Sequence, residues 1–202
     1  MNISTDHIFD SLKEIFYKGA LIAIESYSGL PGREGALKLN GINVLISKST
    51  ELPSDGEIEM AQMKVVKPFF GFLSFVYPDE LKAIFPKLLL GKKLSPKDLQ
   101  EMETEGILEM ANLLLSSILV KAGEIFSVEV EMGPPCIEKG SLFSLLVEKE
   151  NESDILLLEI DMTIEEEGVT GDIKLILSSQ EVSSFLLFTE EYQNKLEQIK
   201  SA

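Results

Sequence analysis

The sequence predicts an α+β protein built from an internally duplicated α-β-β-β-α unit, and three observations carry that expectation. Two helix-forming segments share one spacing of polar residues, Asp10-x-x-x-Glu14-x-x-Tyr17 and Glu105-x-x-x-Glu109-x-x-Asn112. Two stretches 100 residues apart, Gly71 to Tyr77 and Gly171 to Leu177, open on glycine and then favour apolar residues at alternate positions, as strands do. A helical pattern follows each, from Pro78 to Leu90 and from Ser179 onward, and keeps Phe85 and Phe185 in the same register. The helix motifs stand 95 apart, so the copies differ by about five residues of loop, which surface connections tolerate. A period near 100 marks a duplicated half-domain, not a solenoid.

The first helix is expected over Phe9 to Ser26, where Phe9, Leu12, Phe16 and Ala23 keep helical spacing, and Ser28-Gly29-Leu30-Pro31-Gly32 closes it. Strand patterns follow at Ala36 to Ser47, Glu57 to Val66 and Pro68 to Tyr77, with a loop from Ser49 to Gly56; connections this short favour antiparallel pairing. A helix is expected from Pro78 to Leu90 with Gly91 as its C-terminal cap. Ser95-Pro96-Lys97-Asp98 then reads as an N-cap, a first-turn proline and a capping acid for a long helix to about Ile125. Further strands are expected within Phe126 to Met132, Ser141 to Glu148, Asp154 to Thr163 and Gly168 to Leu177, before a terminal helix that carries the charged tail Glu190 to Lys200. With 202 residues, 45% of them hydrophobic, the chain suits one domain over 1–202, with halves at 1–92 and 93–202.

Composition excludes several classes of function. A formal charge of −16 without clustered Lys and Arg argues against nucleic acid and against an anionic membrane surface. The single cysteine, Cys136, excludes an intramolecular disulfide; with no basic neighbour to activate it, it reads as a buried structural thiol. The only histidine, His7, reads as a surface residue near the terminus, and leaves almost nothing from which to build a zinc site or a Ser-His-Asp triad. No metal site is expected. The longest apolar segment, Ile107 to Val120, is interrupted by Glu109 and Asn112, and no basic and apolar leader opens the chain, so a cytoplasmic protein is expected.

Candidate chemistry lies on the second long helix. At about 100° per residue, Glu105, Glu109 and Asn112 fall within roughly 60° of one another, on one face about two turns long. Leu108, Ala111, Leu115 and Ile118 form a packing stripe beside them, and Ile107, Met110 and Leu114 carry the apolar surface round to the far side. Spacing alone favours a solvated helix edge, on which Asn112 costs about 0.5–0.7 kcal/mol of helix propensity relative to Ala.

Motif and duplication together resemble the CheC/CheX/FliY family of chemotaxis phosphatases. Their signature is Asp or Ser, three residues, Glu, two residues, Asn, and a proline 23 positions beyond the Asn. Glu109 and Asn112 match it, and the proline falls on Pro135. The resemblance spans nearly the whole chain and implies an antiparallel sheet with two long helices packed on it. Position 105 departs from the pattern by holding Glu. In the first copy Asp10 and Glu14 are in place, but Tyr17 stands where Asn would be and Asn40 where the proline would be, so that site reads as degenerate.

The resemblance implies hydrolysis of the phosphoaspartate on a CheY-like receiver domain. Asn112 would orient the attacking water, for which a carboxamide offers both a donor and an acceptor without charge. Glu109 would pair with the receiver's active-site lysine, and Glu105 would make an outer contact. The chain would bind no cofactor of its own, the Mg²⁺ being held by the receiver. A CheD-like protein is a further possible partner, and the chain could be a monomer or, by sheet continuation, a homodimer. Two alternatives stand beside this reading: a receiver-binding or flagellar-switch adaptor that hydrolyses nothing, and a purely structural domain.

Overall fold

The computed structural model describes residues 5–29, 37–48, 56–68, 70–90, 95–146, 154–166, 169–179, 181–184, 186–187, 189–191 and 194. The order of elements is α1 (Thr5–Ser28), β1 (Leu37–Lys48), β2 (Ile58–Lys67), β3 (Gly71–Val76), a 3-10 turn (Asp79–Leu81), α2 (Phe85–Leu90), α3 (Pro96–Phe126), β4 (Glu131–Met132), β5 (Cys136–Gly140), α4 (Leu142–Leu146), β6 (Asp154–Glu166) and β7 (Val169–Ser179). Residues 182–184, 186–187, 189–191 and 194 are helical. The expected α+β class is what the chain adopts.

All seven strands join one antiparallel sheet in the order β1-β6-β7-β3-β2-β4, with β5 also on β2. The order records the duplication. β3 and β7 are neighbours at the centre, and Phe75 lies directly opposite Leu175, its counterpart 100 residues on, as a two-fold axis through that pair requires. Outward from the centre each half continues through its long central strand, β2 or β6, and each of these pairs with the opening strand of the other half. So β1 does not pair with β2, as the short connection between them suggested; it crosses to β6, and β4 and β5 return to β2. The halves are interlocked by exchange of their outer strands.

The two long helices pack together on one face of this sheet. In α1 the apolar residues Leu12, Ile15, Phe16, Ala20, Ala23 and Tyr27 recur at helical spacing and are fully buried. Met110, Ala111, Leu114, Leu115 and Ile118 do the same in α3. The helices cross where Gly19 meets Ile118: a Cβ on Gly19 would stand 3.0 Å from the Ile118 carbonyl oxygen. By length and composition the segment Gln100–Phe126 could cross a membrane, but here its apolar side faces the protein core. The other sheet face is partly covered by α4. The buried Gln62 amide donates to the Leu145 carbonyl at 2.6 Å and the Ser178 hydroxyl to the Leu146 carbonyl at 3.1 Å, which satisfies carbonyls left open at a helix C-terminus.

Several sequence expectations need correction. The helix drawn from Pro78 to Leu90 is broken into a 3-10 turn and the short α2, because Pro86 lacks an N–H and its ring excludes a continuous helix through the preceding turn. The strand expected within Ser141 to Glu148 is the helix α4, with the strand just before it at Cys136–Gly140. Ser141 caps that helix, its hydroxyl accepting from Ser144 N at 3.2 Å. Between Phe126 and Met132 the chain finishes α3 and turns through Ser127, at φ 57°, so only Glu131–Met132 is strand. Cys136 is exposed and not buried. The capping expectation at α3 holds, with Ser95 Oγ accepting from Asp98 N at 3.2 Å and the Asp98 carboxylate accepting from Ser95 N. The side chains of His7 and Phe185, most of the Ser49 to Gly56 loop, Gly91 and the tail beyond 194 lie outside the described residues.

Candidate functional site

α3 holds Glu105, Glu109 and Asn112 on its solvent-facing side, and all three are exposed. Over 31 residues this helix is about 46 Å long, anchored along its apolar side, so its polar stripe is a rigid mount. Glu109 and Asn112 stand on one wall of a cleft of about 450 Å³, together with Leu108 and Ser116; Met63 of β2 lies at its base, and Met132, Gly133, Pro134 and Pro135 form the opposite wall. The residue 23 positions beyond Asn112 therefore meets it in space. Glu105 is not brought in: it stands a turn away. Beside it Gly106 packs on α2, where an added Cβ would lie 2.6 Å from Pro86 N, so only glycine fits despite a helix-propensity cost of about 1 kcal/mol.

The wall of prolines is a strand irregularity. β2 pairs Val65 with Met132 and Gln62 with Cys136, so its two intervening residues, Met63 and Lys64, stand opposite three, Gly133 to Pro135. Proline cannot donate to a ladder and is tolerated at such a bulge. Gly133 N donates to Lys64 O at 2.9 Å and ties the loop down. Just past the bulge, Cys136 Sγ lies 3.5 Å from Gln62 O and 3.4 Å from Glu138 Oε1. Partial burial of the sulfur and the neighbouring carboxylate raise the thiol above its ordinary pKa, so it is a poor nucleophile at neutral pH.

The first copy forms a matching cleft, also of about 450 Å³, lined by Lys13, Glu14, Tyr17, Leu39, Asn40, Gly41 and Ile42. Here too the strand is irregular: the pairing of β1 with β6 shifts between Leu39 and Gly41 and leaves Asn40 as the extra residue. Asn40 and Pro135 are 95 residues apart, the offset of the helix motifs, so both copies place their irregularity under the same helix position. Chemically the clefts differ. Glu14 is ion-paired to Lys18 at 2.7 Å, whereas no described residue pairs with Glu109. Tyr17, 48% exposed, stands where the other helix has Asn112. Asp10, like Glu105, is exposed on its helix and outside the cleft.

Sequence reading missed Met63, Met132, Gly133, Pro134 and Ser116 as cleft residues. Ser116 alone carried a signal, being four residues beyond Asn112 on the same face. Its hydroxyl donates to the Asn112 carbonyl. Among the described residues no group of three or more His, Cys, Asp or Glu side chains is placed to hold a metal ion.

No family model and no curated protein sequence matches this chain. Solved structures do. FliY from Thermotoga maritima superposes with a TM-score of 0.66 at 18% identity, over 96% of this chain and 99% of that one. The FliM middle domain from H. pylori gives 0.57 at 15%, over 92% and 99%. The chain of a CheX-CheY-BeF3-Mg²⁺ complex from Borrelia burgdorferi gives 0.50 at 11%, over 80% and 97%. With its exchanged outer strands and paired long helices, the chain has the fold of the CheC/CheX/FliY structures.

Proposed function

We propose that this protein is a chemotaxis-type phosphatase that hydrolyses the phosphoaspartate of a CheY-like receiver domain, with one working site, at Asn112. The observation that carries this reading is the meeting of Glu109 and Asn112, neighbours on one helix, with Pro135, 23 positions beyond Asn112, on one cleft. The CheX structure of the same fold, solved in complex with CheY, supports the choice of partner.

The chemistry asks little of the protein. Water attacks phosphorus, the bond between phosphorus and the aspartyl oxygen breaks, and the products are inorganic phosphate and the receiver's carboxylate. An acyl phosphate is already activated, and the receiver holds the Mg²⁺, so the helper contributes positioning and electrostatics. The Asn112 carboxamide accepts a hydrogen bond from the attacking water and directs its lone pair at phosphorus, and it enters an acidic pocket without adding charge. Glu109, with no described partner, is free to pair with the receiver's lysine; ionisation is all that role requires. The chain itself then needs neither cofactor nor metal, and it acts in the cytoplasm, where its receiver is.

The fold shared with the FliM middle domain favours a second reading, an adaptor that docks a partner without hydrolysis. One experiment separates them: phosphoaspartate decay on a CheY-type receiver from the same organism, with Mg²⁺, measured alone, with the protein, and with Asn112→Ala. Acceleration that falls by about 100-fold or more in Asn112→Ala, with binding retained, is the expected result. Binding without acceleration would assign the chain to the adaptors.

A further inference from the structure

The exposed stripe of α3 does not end at Asn112. At about 100° per residue, Glu105, Glu109, Asn112, Ser116 and Val120 fall within roughly 80° of one another, and the stripe passes from carboxylate through carboxamide and hydroxyl to an exposed aliphatic side chain. Ser116 lines two concavities. One is the cleft of Asn112; the other is a groove of about 370 Å³ between α1 and α3, lined by Ile22, Ser116, Ser117, Val120, Lys121 and Glu124. Val120 is 45% exposed, Ile22 is half-buried, and Lys121 and Glu124 close one rim as an ion pair at 2.9 Å. The close crossing at Gly19 and Ile118 holds the two helices together and fixes the groove.

A receiver that presents its phosphoryl group to Asn112 must cover more than the cleft, since a specific interface buries roughly 800 Å² on each partner. Two directions along the stripe are open to it. Toward Glu105 it would set the acidic phosphorylation pocket of the receiver against further carboxylates, on a chain of charge −16. Toward Val120 it meets an apolar patch rimmed by paired charges, the usual make-up of an interface centre. We infer that the groove of Ile22, Ser116 and Val120 is the receiver's docking seat, continuous with the catalytic cleft and responsible for affinity and receiver choice, while Asn112 governs rate. This rests on the phosphatase reading above.

Val66 supplies a matched control. It is also 45% exposed, but it lies on β2 at an irregularity of its own, between Val65 and Lys67, and it lines neither the groove nor the cleft. Binding of the full chain to a CheY-type receiver loaded with Mg²⁺ and beryllium fluoride is titrated for wild type, Val120→Glu and Val66→Glu, and phosphoaspartate decay is measured over a range of receiver concentration. Val120→Glu should weaken binding and raise KM by about tenfold, with kcat within about twofold of wild type. Val66→Glu should match wild type in both. Equal behaviour of the two variants, against a wild type that binds, overturns the docking seat and leaves the phosphatase reading standing. A wild type that neither binds nor accelerates overturns the phosphatase reading and the seat with it.

Discussion

The cleft beneath Asn112 and the cleft beneath Tyr17 each enclose about 450 Å³, each has a helix carboxylate on its rim, and each faces a strand with one residue too many. They part at three places. Glu109 has no described partner where Glu14 holds Lys18; Gly133-Pro134-Pro135 splits one strand into β4 and β5 where Asn40 only bulges β1; and a carboxamide stands where the other copy has a phenol. The comparison separates what the duplicated fold supplies from what single side chains supply. Backbone geometry, the rigid helix and the bulge beneath it belong to both copies. On the proposed reading the capacity to orient a water belongs to one, because a phenol at position 17 does not reproduce the short, planar donor and acceptor of Asn112.

The largest effect expected is that of Asn112→Ala, which should make the two clefts equally inert. The comparison sharpens in the reverse direction by adding Tyr17→Asn to that variant. Tyr17 is half exposed, so the fold should bear the change, and Glu14 should leave its exposed bond to Lys18 readily, since such pairs are worth about 0.3–0.5 kcal/mol. Phosphoaspartate decay in Asn112→Ala/Tyr17→Asn should recover to on the order of one tenth of wild type, the shortfall reflecting a less well-placed water. No recovery at all would mean that the first cleft has lost receiver docking as well as its carboxamide.

Pro135→Ala tests the second difference. Because β1 bulges at Asn40 without a proline, the irregularity beneath α3 does not depend on Pro135 for its existence, only for its rigidity. The expected outcome is a loss of about 0.4–1 kcal/mol in stability by chemical denaturation, from greater freedom of the unfolded chain. A fall of a few-fold in kcat with KM nearly unchanged should accompany it. A fall as deep as that of Asn112→Ala would place the proline itself among the groups that meet the substrate.

Much of this was legible in the sequence, for identifiable reasons. The α3 start was readable because Ser95, Pro96 and Asp98 act locally, and the long strands β6 and β7 because their apolar residues dominate their patterns. The exchange of β1 and β5 between halves was not, since pairing partners are settled by which faces the helices cover and local spacing says nothing of that. The strand misplaced onto Ser141 to Glu148 shows another limit: Leu142, Phe143, Leu145 and Leu146 are an apolar run too short to show its period, and the deciding contacts come from Gln62 and Ser178 on distant strands. Cys136 reads as a buried thiol because nothing beside it in sequence would activate it, but the absence of an activating neighbour says nothing of burial, and the residue opens β5 with its side chain exposed. At the candidate site, Glu109, Asn112 and Pro135 could be named in advance only through a family pattern; the methionines of the cleft have no signature that distinguishes them from core.

The smallest effect on phosphoaspartate decay is expected at the edges that carry the two bulges, where the change falls on stability instead. β1 is tied to β6 by exposed pairs, Lys38 to Glu165 at 3.0 Å and Lys48 to Asp154 at 2.8 Å. β5, downstream of Pro135, is tied to β2 through Glu59, a mostly buried carboxylate that Lys139 and Lys82 each approach at 2.7 Å and to which the Tyr77 hydroxyl donates at 3.0 Å. The Lys139 and Lys82 contacts outweigh the cost of burial and bring its pKa down to about 2, against an ordinary 4.5. A carboxylate depressed in the folded state stabilises fully above its unfolded pKa and loses that contribution as pH falls through the window to its folded value. Glu59→Gln should therefore cost about 1 kcal/mol at pH 7, and the difference from wild type should shrink as pH drops from 4.5 toward 2. The check is denaturant unfolding of both proteins at a series of pH values; a gap that stays constant across that window would mean that Glu59 holds the β5 edge by packing and not by charge.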